Sequence, residues 1–221
     1  MTVFNLGEIV NNSVLKAIRG RRSSSGFKST PVDKEKLNAI LEAGRWAPSW
    51  ANTQPWRFIV IKDKGIKERM SEAVSTFFKS SIRDAPICVA ICVNPKKDSF
   101  HFIEDGTTAT QNMALAAHSI GLSTSWIGVF SLRNEKNSSE KKLKKILDIP
   151  KEWRLISILP LGVPEFKETS TRKDLTTILD FNRFMIKEEH KSELEPREKP
   201  LTETEKVHEP ESSRELERAL V

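Results

Sequence analysis

Arg45-Trp-Ala-Pro-Ser-Trp-Ala-Asn-Thr-Gln-Pro-Trp-Arg-Phe58 is the stretch on which the reading of this chain turns. A helical pattern (Leu37, Ile40, Leu41) runs up to Gly44 before it, and the strand-like run Phe58-Ile59-Val60-Ile61 follows it. Pro48 and Pro55 forbid regular helix and push the residues before them toward extended backbone. Between the prolines stand Ser49, Asn52, Thr53 and Gln54, short polar side chains that bond either a ligand or their own backbone. Read from the residues alone, the segment is either a satisfied helix-to-strand connection or a binding loop.

Upstream, Leu6 to Ile18 has apolar residues at helical spacing and leads into Arg19-Gly-Arg-Arg-Ser-Ser-Ser-Gly-Phe27. Guanidinium groups, hydroxyls and loop amides together suit a phosphate, although a solvated basic turn has the same composition. Asp33 is placed to cap a helix over 34–43. Downstream, Ile66–Phe78 reads as one helix with Ile66, Met70, Val74 and Phe77 on one side. Pro86–Val93 reads as a central strand buried on both faces.

Lys96–Phe102 is a loop carrying Phe100, His101 and Phe102. Glu104–Leu122 is the longest helical pattern, rich in small residues and closed by Gly121, with His118 on it as a packed or surface histidine. Gly121-Leu-Ser-Thr-Ser-Trp-Ile-Gly-Val-Phe130, a surface helix over 135–147, a strand over 153–161 and Pro160-Leu-Gly-Val-Pro164 complete the pattern.

The chain has 221 residues and a formal charge of +6. Residues 187–221 hold 7 basic and 11 acidic side chains, a net of −4, so residues 1–186 carry +10. The basic residues are scattered and form no stripe interleaved with aromatics, which argues against nucleic acid. No apolar run reaches the roughly 20 residues that span a bilayer, and no signal peptide precedes the first helix. Cys88 and Cys92 on one strand lie too far apart to pair, about 13 Å. Buried thiols in a soluble, cytoplasmic protein are expected. No Ser-His-Asp, Cys-His or metal-ligand constellation is present. The composition of residues 187–221 predicts a disordered tail, with a short helix at 213–220 as an option.

Ala-Pro-Ser-x-x-Asn-x-Gln-Pro-Trp-x-Phe resembles the signature of the nitroreductase family, dimeric flavin mononucleotide (FMN) enzymes, and the resemblance runs from about Val14 to about Phe184. Arg21-Arg22-Ser23, the Gly121–Phe130 stretch, the Pro160–Pro164 turn and Arg172 extend it. The resemblance implies an α+β fold with a mainly antiparallel central sheet flanked by helices and a long central helix at a dimer interface. It implies an FMN-binding domain over residues 1–186 with residues 187–221 as the tail.

The cofactor-binding residues it implies are Arg21, Arg22, Ser23, Ser25, Pro48, Ser49, Trp50, Asn52, Gln54, Ile127, Gly128 and Arg172. Arg21, Ser23 and Arg172 would hold the phosphate, and the amides of Ile127 and Gly128 would face flavin N5 and O4. Pro48, Ser49 and Asn52 would reach the ring from the partner subunit. Ser25 and Ser170 stand where the family usually carries a cation. Trp50 is larger than usual there and would either narrow the pocket or pack at the dimer interface. No side chain is needed as acid or base.

The implied activity is two-electron transfer from NADH or NADPH through FMN to a nitroaromatic, quinone or similar acceptor. Flavin destructase-like oxygen chemistry on FMN and a non-catalytic flavin-binding role are the alternatives. A deiodinase is disfavoured, since that activity relies on a tyrosine-bearing lid and this chain has no tyrosine.

Overall fold

Ile87–Val93 (β2) is the centre of the molecule, and every one of its residues is buried. A strand covered on both faces and paired on both edges must be apolar throughout, and Ile-Cys-Val-Ala-Ile-Cys-Val meets that condition. A computed structural model of the chain describes residues 12–133 and 137–185. The chain divides into two compact units, Met1–Ser170 and Thr171–Val221. The expected boundary at 186/187 and the optional helix at 213–220 lie outside the described residues.

In the first unit, β2 pairs antiparallel with Trp56–Ile61 (β1) on one side and with Arg154–Gly162 (β5) on the other. The far side of β5 pairs with two short pieces, Ser123–Thr124 (β3) and Ile127–Gly128 (β4), also antiparallel. The sheet is therefore wholly antiparallel, with β1 at one edge and β3 and β4 along the other. Six described helices accompany it: Ser13–Gly20 (α1), Lys34–Arg45 (α2), Lys64–Glu72 (α3), Thr76–Asp84 (α4), Phe102–Ser119 (α5) and Ser139–Ile146 (α6). One core cluster joins Met70, Ile82, Cys88, Cys92, Leu143 and Ile158, and the other joins Ile40, Val89, Ile91, Met113 and Leu159. Alternate residues of β2 thus feed two separate cores. Neither thiol is in a disulfide, and burial pushes Cys88 and Cys92 up to about 12.

The small residues of α5 explain how it lies close to its neighbours. A Cβ on Gly106 would sit 2.6 Å from Cγ1 of Ile156 on β5 and 3.0 Å from Cγ1 of Val93 on β2. On the other side, α2 approaches so closely that a Cβ on Gly44 would meet the Met113 side chain.

Three expectations change. The helix expected over 66–78 is two helices, because Ser75 is extended and the apolar face resets there. Ile82 is then buried and Phe77 exposed. Asp33 precedes α2 without a side-chain cap bond and lies 4.0 Å from Lys36 instead. The first helix continues through Arg19 and Gly20, capped by Asn12, whose Oδ1 accepts from the Val14 and Leu15 amides.

The second unit has one short 3-10 turn, Leu175–Thr177, among its described residues. Its Phe181, Phe184 and Met185 side chains are exposed.

Candidate functional site

The connection from α2 to β1 is the most strained segment described. Ala51, Asn52 and Gln54 have φ of 43°, 56° and 46°. Asn visits this left-handed region readily, whereas Ala and Gln do so at about 1–2 kcal/mol each. Internal bonds hold part of the shape: Thr53 N donates to Trp50 O at 2.9 Å and Gln54 N to Ser49 Oγ at 3.0 Å. The Gln54 amide group reaches back to the Asn52 carbonyl at 3.3 Å and to its Oδ1 at 3.2 Å. Gln54 is therefore a brace of the loop, while Pro48, Trp50 and Asn52 are exposed and Ser49 is half-buried.

The rest of the grip comes from α5 and the residue before it. Trp50 N donates to Asp105 Oδ1 at 3.0 Å, the Thr108 hydroxyl proton is shared between Asp105 O at 2.8 Å and Pro48 O at 3.0 Å, and the Trp50 ring stacks on His101 at 4.4 Å. Burial pushes the Asp105 carboxyl up, against the opposing pull of the Trp50 amide.

The basic, hydroxyl-rich loop is held by main chain. Ser24 N donates to Thr124 O at 3.0 Å, Lys28 N to Val163 O at 2.9 Å and Glu165 N to Gly26 O at 3.1 Å. The resulting alternation turns Ser23 and Ser25 outward, while Ser24 and Phe27 are buried. The Arg22 guanidinium donates to the carbonyls of Arg19 and Arg21 at 2.7 Å and of Ser170 at 3.5 Å, so it staples the loop. His118 lies behind this loop, close enough that a Cβ on Gly20 would be 2.6 Å from its Nε2. Burial, with Arg21 and Arg22 nearby, holds the imidazole below its usual range. A hollow of about 220 Å³ opens there between Gly20, Arg22, His118 and Phe166.

Further along the same edge, Ser125 N and Val129 N donate to Pro160 O and Ile156 O of β5. In an antiparallel pair, alternate residues carry the ladder bonds. Ile127, opposite Ile158, therefore shares the ladder, and the Gly128 amide is directed away from β5. A Cβ at Gly128 would meet nothing within 4 Å. Outward serines, basic side chains and an open backbone cradle on one sheet edge fit a phosphate-bearing planar cofactor such as FMN.

The first unit thus places Arg21–Ser25 beside the C-terminal end of α5 and Pro48–Gln54 beside its N-terminal end, with Gly128 between them opposite Ser157, whose Oγ lies 2.8 Å from that of Thr110 on α5. Arg172 belongs to the second unit, where it donates to Thr171 O at 2.7 Å. His101, Asp105 and Thr108 had no place in the expected site. Their sequence signal was helical spacing of polar rather than apolar residues.

An antiparallel sheet seated on one long helix, with an anion-suited loop and a strained polar loop at the helix ends, defines an α+β protein with two candidate binding loops. The nitroreductase family model matches residues 18–88 and 76–163, and the chain belongs to that family. A relative from Archaeoglobus fulgidus, provisionally named NADH dehydrogenase/NAD(P)H nitroreductase, is 34% identical over 68% of this chain and 85% of its own. A 5,6-dimethylbenzimidazole synthase from Rhodospirillum rubrum is 25% identical over 65% of this chain and 78% of its own. The structure of an FMN-dependent nitroreductase from Clostridium difficile R20291 is similar with a TM-score of 0.69 at 28% identity, covering 77% of this chain and 99% of that one.

Proposed function

We propose that this protein is an FMN-dependent NAD(P)H oxidoreductase, a homodimer that passes two electrons to a nitroaromatic, quinone or similar small acceptor. The observation that carries the reading is the separation of the two candidate half-sites. Asp105 holds one loop and His118 lies behind the other, thirteen positions apart on α5, or roughly 20 Å at 1.5 Å per residue. A cofactor whose phosphate sits at Arg21–Ser25 therefore has the Pro48–Gln54 loop of its own subunit at the far end of α5. A two-fold partner bringing its Pro48–Gln54 loop to this chain's Arg21–Gly128 edge completes a site of suitable size. Exposed Val14, Ile18, Trp46 and Leu132 on the first unit, and exposed Phe184 on the second, supply apolar surface for such a partner to cover.

Bound FMN would supply the hydride chemistry. The chain's own residues bind and orient it. Arg21 and Ser23 hold the phosphate, with Arg172 a further candidate on its sequence match, and the outward Gly128 amide donates to the ring edge, where it stabilises developing charge. The Ser49 hydroxyl accepts from Gln54 N, which leaves its own proton to donate. The cytoplasm is the compartment we assign. No described helix is long and apolar enough to cross a membrane.

Similarity to the R. rubrum synthase favours a second reading, oxygen-dependent breakdown of FMN itself. One experiment addresses both. Purified protein reconstituted with FMN is titrated with NADH and NADPH without air, and the yellow absorbance should bleach with one donor. On readmitting air, full return of the flavin spectrum supports the oxidoreductase, and its permanent loss supports the second reading. Protein that takes up no FMN overturns both.

A further inference from the structure

The left-handed backbone at Ala51, Asn52 and Gln54 needs an external hold, and the residues that provide one fall on a single line. His101, the residue just before α5, and Asp105, Thr108 and Asn112 on it are spaced i, i+4, i+7 and i+11, which aligns the last three on one helix face. The first three grip the α2–β1 connection, and Asn112 grips the last turn of α2. The His101 ring stacks on the Trp50 indole with 22° between the planes. Asp105 takes the Trp50 amide, Thr108 shares its hydroxyl proton between the Pro48 and Asp105 carbonyls, and Asn112 donates to Ala43 O at 3.2 Å.

Trp50 is thus held at its ring by the residue that precedes α5 and at its backbone by the first turn of that helix. The first gripping residue is itself fixed. Asp98, 6% exposed, accepts from the Phe100 and His101 amides through Oδ1 at 2.9 and 3.1 Å. Its Oδ2 lies 3.4 Å from His101 Nδ1.

We infer that the His101–Asp105–Thr108–Asn112 stripe, with Asp98 behind it, is a positioning device that presets the Pro48–Gln54 loop in its ligand-ready shape. The inference rests on the reading that this loop meets the FMN ring. None of the stripe residues contacts the cofactor in this proposal. They lower the ordering cost that binding would otherwise meet. Stacking is the feature required of His101, so a flat aromatic replacement should serve and alanine should not.

The test is FMN titration of the full-length apoprotein by flavin fluorescence, with amide hydrogen exchange at Trp50 followed in parallel. His101→Ala should weaken FMN binding about tenfold and speed exchange at Trp50, whereas His101→Phe should stay within about threefold of wild type. A folded His101→Ala protein with wild-type FMN affinity and unchanged Trp50 protection overturns the proposal. Should His101→Ala not fold, Thr108→Val replaces it. Its loss of the Pro48 bond should weaken binding about threefold, and unchanged affinity with unchanged exchange overturns the proposal equally. Failure of the wild-type protein to bind FMN would sink the flavin reading instead. The stripe would then be judged on exchange alone: faster exchange at Trp50 in either variant supports it, and unaltered protection refutes it.

Discussion

The Arg21–Gly26 loop and the Ala47–Pro55 loop sit at opposite ends of α5 and are secured by different kinds of bond. The first is strapped mainly by backbone amides and carbonyls of β3 and of the segment after β5, with the Arg22 guanidinium added as a staple. The second, beyond its internal turn bonds, hangs on the side chains of His101, Asp105 and Thr108. Main-chain straps tolerate almost any side chain, so the exposed Ser25 side chain does not set the loop's shape. A side-chain grip has no such latitude. Substitution at the first loop, Arg22 apart, should therefore alter chemistry with little structural cost, whereas substitution under the second should alter structure and binding together.

The largest expected effect would break this distinction by disturbing both ends at once. Gly106→Ala puts a Cβ into Ile156 and Val93 and lifts α5 from the sheet. It should cost about 1–3 kcal/mol, the usual range for overpacking, read as a lower urea midpoint. An unchanged midpoint would mean that α5 is not the common seat of the two loops.

Arg21→Ala isolates the first loop. FMN affinity should fall about tenfold to a hundredfold, the worth of a charge-assisted bond, read by flavin fluorescence. A parallel loss of stability would show that Arg21 also supports the loop.

Ser25→Arg sharpens the contrast further. A cation near the reduced ring should raise the flavin midpoint potential by tens of millivolts, on the order expected for partly screened charges. Arg22 is tied to three carbonyls and does not already fill that role. A potential that stays put would count against a site at Ser25.

Acid should distinguish the two ends most subtly. His118 is held below its ordinary 6.5 by burial and then by Arg21 and Arg22. As pH falls through 6.5 the unfolded chain takes up a proton that the folded chain resists, and stability should drop. His118→Gln should remove that drop. Asp105 is raised above its ordinary 3.8 by burial. It favours folding below 3.8, an advantage lost as pH rises through its folded value, and Asp105→Asn should remove it. Denaturation curves across pH 7 to 4 check both signs.

Much of this was legible from residue order. β2 is apolar at every position because it is buried on both faces, and α5 repeats small apolar residues because two neighbours press against it. The break between α3 and α4 was not legible, since Ile66, Met70, Val74 and Phe77 keep helical period across Ser75. Arg22 could be read as basic but not as a staple, because its partners are carbonyls that every residue possesses. The stripe under Trp50 escaped for a related reason. Periodicity was sought among apolar residues, and His101, Asp105, Thr108 and Asn112 are polar because what they hold is backbone and one ring.

Cys88 and Cys92 lie deep in β2, at 0% and 2% exposure. Oxidants and alkylating reagents attack the thiolate, and only where they can reach it. A member of an oxidoreductase family thus keeps its thiols out of reach, and peroxide in solution should leave them intact. The same burial makes them a built-in timer. A labelling reagent that modifies either cysteine reports the opening of the central strand, so the labelling rate can measure how often the core opens.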